Sequence, residues 1–577
     1  MRSAALQREP GSAYSSRISL AILTAATVAA LAPFLNKAFC IDDPLFLWAA
    51  RQIQKQPLDF YGCIVNWGGV PARMFQVAKN PPLASYYIAI TTPLTGWSEP
   101  ALHAAFLLPA VGAILGTWFL ARSLCQQPIF AALMVLATPA FLVSSTNIMC
   151  DSSMLCLWTW AIALWIKGLD SADSRWAALA AVLIAAAALT KYFAISLIPL
   201  LAVYTLLRQR RPTWMLLWLA VPVGCLAGYQ WWTRHQYGVG LLSDAAVYVR
   251  TFAKEPEVAA AGETATSKTV TALSFTGGSF ITILLLAPWL WPKRGLAAIA
   301  IVVGIATVCA KAVVSERRLA ALHAAGPFTW SQAVQMGLFT TCGLLVLWSV
   351  VSPLIRHPSA DNWLLALWVL GTLAFGGFVN WTCNVRSVLP LAPALAILVA
   401  RQLEERKAKA APVTPSRGLR GPYCALALSA EIALMVGWAD LCFADSDRTA
   451  TQQIAAWLPH ENVPPWIEGH WGFQYYMLAK GARDLNVGQP ACEPADFVVI
   501  PTDNSNVKPL SNIRADLQHV IAIPVCPWLA TMHSRPGAGF YSSRWGPFPF
   551  VFGPADDQTY ELWCVTDVPS RAAVLGE

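Results

Sequence analysis

The sequence predicts a mainly α fold: a polytopic transmembrane helical bundle of about thirteen spans, followed by a small soluble α/β domain at the C-terminal end. Three observations predict it. Only 12% of the 577 residues are charged and 56% are hydrophobic, giving a mean hydropathy of +0.49. Soluble domains carry about twice that share of charge. The apolar residues gather in runs long enough to cross a hydrocarbon core in which charges are costly. Past residue 443 the runs stop and ordinary polarity returns.

Spans are expected at roughly 18–39, 101–121, 128–146, 150–167, 176–190, 193–207, 213–233, 278–292, 295–311, 332–354, 362–380, 387–400 and 422–443. The fifth and sixth read equally well as one bent hairpin. Arg2, Arg8 and Arg17 precede the first run, which is too long for the apolar core of a signal peptide. It is read as a retained helix, with residues 1–17 as a cytoplasmic N-terminus. Lys/Arg bias then orients the rest. Counting alternately puts Arg122, Lys167, Arg175, Arg208, Arg210, Arg211, Lys293, Arg294, Arg356 and the cluster at 401–420 on the cytoplasmic side.

Three long segments then face outward: about 40–100, about 234–277, and the tail 444–577. Residues 18–443 form the membrane module, with the loop 40–100 on its outer face. The tail holds strand-like runs at Asp496–Ile500 and Val520–Val525 and a helix-like stretch at Thr451–Leu458. It is expected as a soluble domain on the non-cytoplasmic side of a plasma or inner membrane. The 26 Trp and 40 Pro suit interfacial anchors and broken helix ends.

Composition also narrows function. The net charge of +8 lies in short clusters between apolar runs, with no basic stripe interleaved with aromatics. Nucleic acid is therefore not an expected partner. Most of the 14 Cys lie inside apolar runs, where Cys acts as a small hydrophobe. No Cys/His spacing suits zinc, so no metal site and no cofactor are expected. Cys492, Cys526 and Cys564 lie in the tail; one disulfide is open to an exported domain, and the sequence does not choose the pair.

The residues with chemical potential sit at the ends of spans. Asp42 and Asp43 follow the first span. Asp43-Pro44 is also a helix-start pattern, and Phe46, Ala49, Ala50 and Ile53 form one face of the following helix. The pair reads either as the cap of an interfacial helix or as groups projecting into a cavity. Lys79-Asn80-Pro81-Pro82-Leu83, followed by Ser85-Tyr86-Tyr87, is a rigid helix entry. Asp151 opens the fourth span, where Asn147 and Ser152 offer capping. Lys191 follows Leu189-Thr190 and either snorkels or meets an anion. Arg386 lies in Asn384-Val385-Arg386-Ser387-Val388-Leu389-Pro390, before the twelfth span. Each has a bland reading alone. Together they put two acidic and two basic sites on one membrane face, which chance would scatter over both.

A carboxylate accepts the proton of an attacking hydroxyl or amine. Lys and Arg stabilise a departing phosphate, with Arg offering a two-pronged fork. Sugar transfer from a lipid phosphate at a membrane face fits that set. A transporter or lipid flippase is the alternative, but transporters place charges near the bilayer midplane in two related halves. A sensor or scaffold would leave the charged set without a task. Two aromatic- and Gly-rich tail segments, Glu468–Tyr476 and Gly537–Gly546, suit either packing at the interface or sugar stacking.

In their order these motifs resemble membrane glycosyltransferases of the GT-C fold, most of all the branch of protein O-mannosyltransferases and lipid A aminoarabinose transferases. That branch has an acidic pair after its first span, here Asp42-Asp43-Pro44-Leu45-Phe46 with Asp in place of the second Glu. Its Lys-Pro-Pro-Leu motif reads Asn80-Pro81-Pro82-Leu83 here, with Lys79 one place earlier. Asp151, Leu189-Thr190-Lys191 and Arg386 match its later positions, with Ser387 where an aromatic is usual. The similarity spans roughly residues 18–400. It implies a polyprenyl-phosphate sugar donor, and a protein, lipid or polysaccharide acceptor beside membrane lipids. It also implies Asp42 as the base with Asp43 beside it, and Asp151, Lys191, Arg386, Lys79, Asn80 and Tyr86 as substrate contacts in an inverting, single-displacement reaction.

Overall fold

The computed structural model describes residues 12–252, 265–316, 328–409, 420–458, 464–486, 491–505, 507–508, 510 and 513–567. The expectations that rest on Arg2, Arg8 and Arg417 lie outside them. The chain is mainly helical, with a small C-terminal sheet domain, as the composition predicts. Among the described residues, ten helices are long and apolar enough to cross a membrane, and Ser174–Thr190 is a shorter apolar helix. The protein is an integral, multi-pass membrane protein.

The ten long helices coincide with ten of the expected spans. The other three are shorter or broken, for local reasons. The 128–146 run folds as Pro128–Leu136 and Pro139–Ser144. Pro139 has no N–H to continue a helix, and Thr138 caps the second piece by accepting from Phe141 N. The 278–292 run is split into Ala265–Ser279, Thr282–Leu285 and Ala287–Leu290, the last with Pro288 in its first turn. The 176–190 run is Ser174–Thr190, one helix turn short of a full span.

Helix Cys150–Ser171 packs against both Glu99–Leu124 and Ser174–Thr190. Asp151 opens it and Asp170 closes it, about 28 Å apart at 1.5 Å per residue. Arg208 pairs with Asp170 at 2.5 Å and with Asp361 at 2.9 Å. The Arg208 loop and Asp151 therefore lie at opposite ends of the bundle, which is the relation the Lys/Arg bias predicts for them.

Helix Arg420–Trp457 runs without a break through residue 443 and into the tail. The expected Thr451–Leu458 helix is its last turns. Its far end packs against a five-stranded mixed sheet, ordered Arg483–Asp484, Trp466–Ile467, Phe497–Pro501, Gln558–Asp567 and Arg514–Ile523. The first two pairings are parallel and the last two antiparallel. Cys492, Cys526 and Cys564 are free thiols.

The tail meets the membrane module through its aromatic segments. Tyr476 Oη donates to Glu99 Oε1 at 2.8 Å and accepts from Phe39 N at 2.8 Å. The His470 ring stacks on Trp67 at 4.6 Å, and Trp471 stands against Phe443 and Trp545. At Gly472 a Cβ would stand 2.2 Å from the Phe39 carbonyl oxygen, so only glycine permits this approach of helix Trp471–Ala479 to the loop that carries Asp42.

Candidate active site

Four of the residues singled out from sequence form one connected chain of charges. Asp42 precedes helix Asp43–Lys55. Its Oδ2 accepts from Arg386 Nη2 at 2.9 Å. Arg386 Nη1 lies 3.9 Å from Asp151 Oδ2, and Asp151 Oδ1 accepts from Lys191 Nζ at 2.6 Å. The segments supplying them are 37–43, the start of Cys150–Ser171, the C-cap of Ser174–Thr190 and the start of Val385–Val388. Asp151 sits in a first helical turn and Lys191 at a helix C-terminus, so each occupies the helix end whose dipole favours its charge.

Exposure grades the four. Asp151 is only 1% exposed, while Lys191 and Arg386 keep 18% and 14% of their side chains accessible and Asp42 keeps 29%. Asp151 is thus the buried anchor, and the two cations and Asp42 are what an approaching molecule meets. Arg386 Nε is buried and has no hydrogen-bond partner among the described residues. A buried unpaired donor is costly, and an anion's oxygen would satisfy it.

Asp43 is different from Asp42. Its side chain is fully buried, with Oδ2 accepting from Cys40 N at 3.0 Å and Oδ1 from Ile148 N at 3.1 Å. It ties the 37–43 loop to the segment leading into Cys150–Ser171. Burial pushes its carboxyl up to about 7; the Cys40 N–H, the Lys37 charge and the Ile148 N–H oppose that rise in this order. Between its ordinary 3.8 and about 7 the folded protein holds a proton that the unfolded chain has released. Asp43 therefore favours the folded state most at the acid end of that window, and the contribution is lost as pH rises through it. The thermal midpoint of the wild type, measured relative to Asp43→Asn, is expected to fall from pH 4 to pH 7. A difference that stays flat or grows would refute this account of Asp43.

The remaining expected contacts lie on the 57–87 segment with partners of their own. Lys79 Nζ pairs with Asp244 Oδ2 at 2.7 Å and faces the Tyr248 ring at 5.3 Å. The Asn80 carbonyl accepts from Tyr61 Oη at 2.8 Å. Tyr86 Oη donates to the Pro57 carbonyl. Among the described residues, no hydrogen bond or ion pair joins these three to the chain of four.

Lys37, Asp440 and Tyr541 join this site without belonging to any of the motifs. Lys37 Nζ is fully buried and donates to Asp440 Oδ2 at 2.6 Å, Asn147 Oδ1 at 2.6 Å and Thr146 Oγ1 at 3.2 Å. The signal was present: both charges lie within expected apolar spans, 18–39 and 422–443, where an ionisable residue is a functional candidate. Among the described residues no group of three or more His, Cys, Asp or Glu is placed to hold a metal ion.

A separate cleft of about 400 Å³ lies along helix Asp43–Lys55, lined among others by its Trp48, Arg51 and Lys55, by Asn66, and by Gln474 and Asp484 of the tail; none of the four charged residues lines it. Gln474 Nε2 donates to the Asn66 carbonyl at 2.6 Å and to Asp484 Oδ1 at 2.9 Å. Gln474 Oε1 and Asn66 Oδ1 have no hydrogen-bond partner among the described residues.

A family profile agrees with the resemblance of the motifs over part of the chain. The family profile described as "Dolichyl-phosphate-mannose-protein mannosyltransferase" matches residues 79–232. That stretch includes Asn80-Pro81-Pro82-Leu83, Asp151 and Lys191; Asp42 and Arg386 lie outside it. No curated protein matches the chain. Among solved structures, the archaeal oligosaccharyltransferase AglB from Archaeoglobus fulgidus, in complex with an inhibitory peptide and a dolichol-phosphate, is 13% identical. The match covers 85% of this chain and 70% of that one at a TM-score of 0.46. ArnT from Cupriavidus metallidurans bound to undecaprenyl phosphate is 15% identical, with 85% and 93% covered and a TM-score of 0.38. Arabinofuranosyltransferase AftD from Mycobacteria is 13% identical, with 96% and 40% covered and a TM-score of 0.36.

Proposed function

We propose that this protein is a membrane glycosyltransferase that moves a sugar from a polyprenyl-phosphate donor to a protein, lipid or glycan acceptor at the non-cytoplasmic face of a plasma or inner membrane. The observation that carries this reading is the Asp42–Arg386–Asp151–Lys191 chain. It joins one accessible carboxylate to two accessible cations at the end of the bundle away from the Arg208 loop. The profile match over 79–232 supports it. A transporter reading is not favoured, because these charges gather at helix ends on one side.

In the reaction, Asp42 takes the proton from the acceptor hydroxyl or amine as the acceptor atom bonds to the anomeric carbon. The bond from that carbon to the phosphate oxygen breaks, and its electron pair leaves with polyprenyl phosphate. Lys191 and Arg386 meet the developing charge. Attack opposite the leaving group inverts the anomeric configuration. Arg386 has a double role: a donor phosphate competes with Asp42 for its guanidinium, so donor binding frees the carboxylate that must act as base. Asp151 holds both cations in place, and Asp43 fixes the loop beneath Asp42. Lys79, Asn80 and Tyr86 are outer substrate contacts; the half-exposed Lys79–Asp244 pair is of the kind that exchanges readily for a phosphate. The acceptor enters by the cleft along helix Asp43–Lys55, whose Trp48 stands about 7.5 Å along the helix from Asp43.

Equilibrium binding of polyprenyl phosphate to the protein in nanodiscs tests the donor half of this reading. Saturable binding is expected, weakened by about tenfold or more in Lys191→Met through loss of a charge-assisted contact. Absence of saturable binding to correctly folded wild type would remove the donor assignment.

A further inference from the structure

We propose that Tyr541 is a positioning residue for Arg386, held by the buried Lys37–Asp440 pair, so that the C-terminal domain supplies a working part of the site. The inference rests on the glycosyltransferase reading for its kinetic consequence, though not for its geometry.

The Tyr541 ring lies under the Arg386 guanidinium, 5.5 Å from Cζ to the ring centroid. Its hydroxyl donates to Asp440 Oδ2 at 2.7 Å and accepts from Asn147 Nδ2 at 2.8 Å. Asp440 Oδ2 also accepts from Lys37, and Oδ1 accepts from Thr531 Oγ1 at 3.0 Å. Every strong group in this network is satisfied, and Lys37 and Asp440 are both 0% exposed. The backbone is tied as closely. Val385 N donates to the Phe540 carbonyl at 3.0 Å, and Ser543 N donates to the Cys383 carbonyl at 2.8 Å. The residues on either side of Tyr541 are therefore bonded to the residues just before Arg386.

A buried ion pair is a poor way to gain stability, since apolar side chains of similar volume hold helices together as well or better. What such a pair does well is fix orientation. Here it fixes one ring edge, and the ring face carries the cation that bridges Asp42 and Asp151. Guanidinium groups stack on aromatic faces, and that stacking sets the plane of the fork. The 37–43 loop is pinned by the same network at Lys37 and by Asp43 at its other end, so Asp42 and Arg386 are positioned by one connected set of side chains.

Tyr541→Phe separates positioning from folding. It keeps the ring and removes only the hydroxyl. Both partners of that hydroxyl keep another bond: Asp440 Oδ2 to Lys37, and Asn147 Nδ2 to the Val143 carbonyl at 3.1 Å. A merely structural tyrosine would leave kcat unchanged. The positioning role predicts that kcat for a polyprenyl-phosphate sugar falls about 10- to 100-fold and that donor KM rises with it, because a displaced Arg386 meets both the donor phosphate and the developing charge less well. The thermal midpoint should move little. Tyr541→Leu, which also removes the ring, should lower kcat further.

A second readout needs no activity. Arg386 modification by phenylglyoxal, followed by peptide mass spectrometry, should quicken severalfold in Tyr541→Leu, with Arg356 as the internal control. Unchanged Arg386 reactivity overturns the proposal, as does unchanged kcat in an active enzyme. Faster modification in a protein whose wild type consumes no lipid-linked donor upholds the positioning of Arg386 and sinks the glycosyltransferase reading instead.

Discussion

Replacing Asp42 by Asn is expected to lower kcat for sugar transfer by about 10²- to 10⁴-fold, the usual contribution of a positioned general base. The carboxamide has nearly the same shape, and its oxygen still accepts from Arg386 Nη2, so the 2.9 Å contact survives in neutral form. It cannot take up the acceptor's proton. Donor KM should therefore change far less than kcat, because phosphate recognition is assigned to Lys191 and Arg386. Rapid mixing of donor, acceptor and Asp42→Asn protein, with wild type alongside, separates binding from chemistry. Wild-type turnover by the variant would show that the proton leaves by another route.

Arg386→Lys should cost about as much, roughly 10²- to 10³-fold in kcat/KM, the effect of losing a donor aimed at developing charge. Charge is conserved, but the geometry is not. One guanidinium reaches Asp42 through Nη2 and Asp151 through Nη1, and stands over the Tyr541 ring. A lysine ammonium is a single point on a flexible stem and cannot hold both carboxylates at once. One of the two carboxylates would then lose its partner at position 386. The loss should appear in kcat/KM for the donor and in polyprenyl-phosphate affinity together, unlike Asp42→Asn, which spares affinity. Steady-state kinetics beside equilibrium binding distinguish the two patterns, and an Arg386→Lys enzyme with wild-type values in both would remove Arg386 from the mechanism.

The membrane bundle was legible because charge is expensive in hydrocarbon, and the runs without it mark the helices directly. Two of the expected spans are broken helices, and there proline intervenes. Pro139 and Pro288 break apolar stretches that hydropathy alone counts as whole spans. The end of the last span was hidden for the opposite reason: Arg420–Trp457 changes from apolar to amphipathic at about residue 443 without any change of backbone. A shift of composition there marks a change of surroundings, and the helix simply continues.

At the site, Asp42, Asp151, Lys191 and Arg386 were legible as charges at the ends of apolar runs, and they meet. Asp42 and Asp43 could not be told apart in sequence. Their difference arises from the tight turn at Ile41, with φ at +52°, and from two backbone N–H groups, one of them more than a hundred residues distant, that converge on Asp43. Lys37 and Asp440 stand at the ends of the first and last spans, and only the fold brings them within 2.6 Å. Tyr541 gave no local signal at all; its aromatic segment suited packing and sugar stacking equally, and its contact with Arg386 depends on how the tail docks.

The most direct measurement of the central claim is donor consumption. Purified protein in nanodiscs would be given a panel of radiolabelled polyprenyl-phosphate sugars with membrane extract as the acceptor source, wild type beside Asp42→Asn. The account predicts that wild type consumes at least one donor, releases polyprenyl phosphate and labels an acceptor, and that the variant binds the same donor but leaves it intact. Correctly folded wild type that neither binds nor consumes any donor in the panel, or a variant that consumes the donor as fast as wild type, would contradict it.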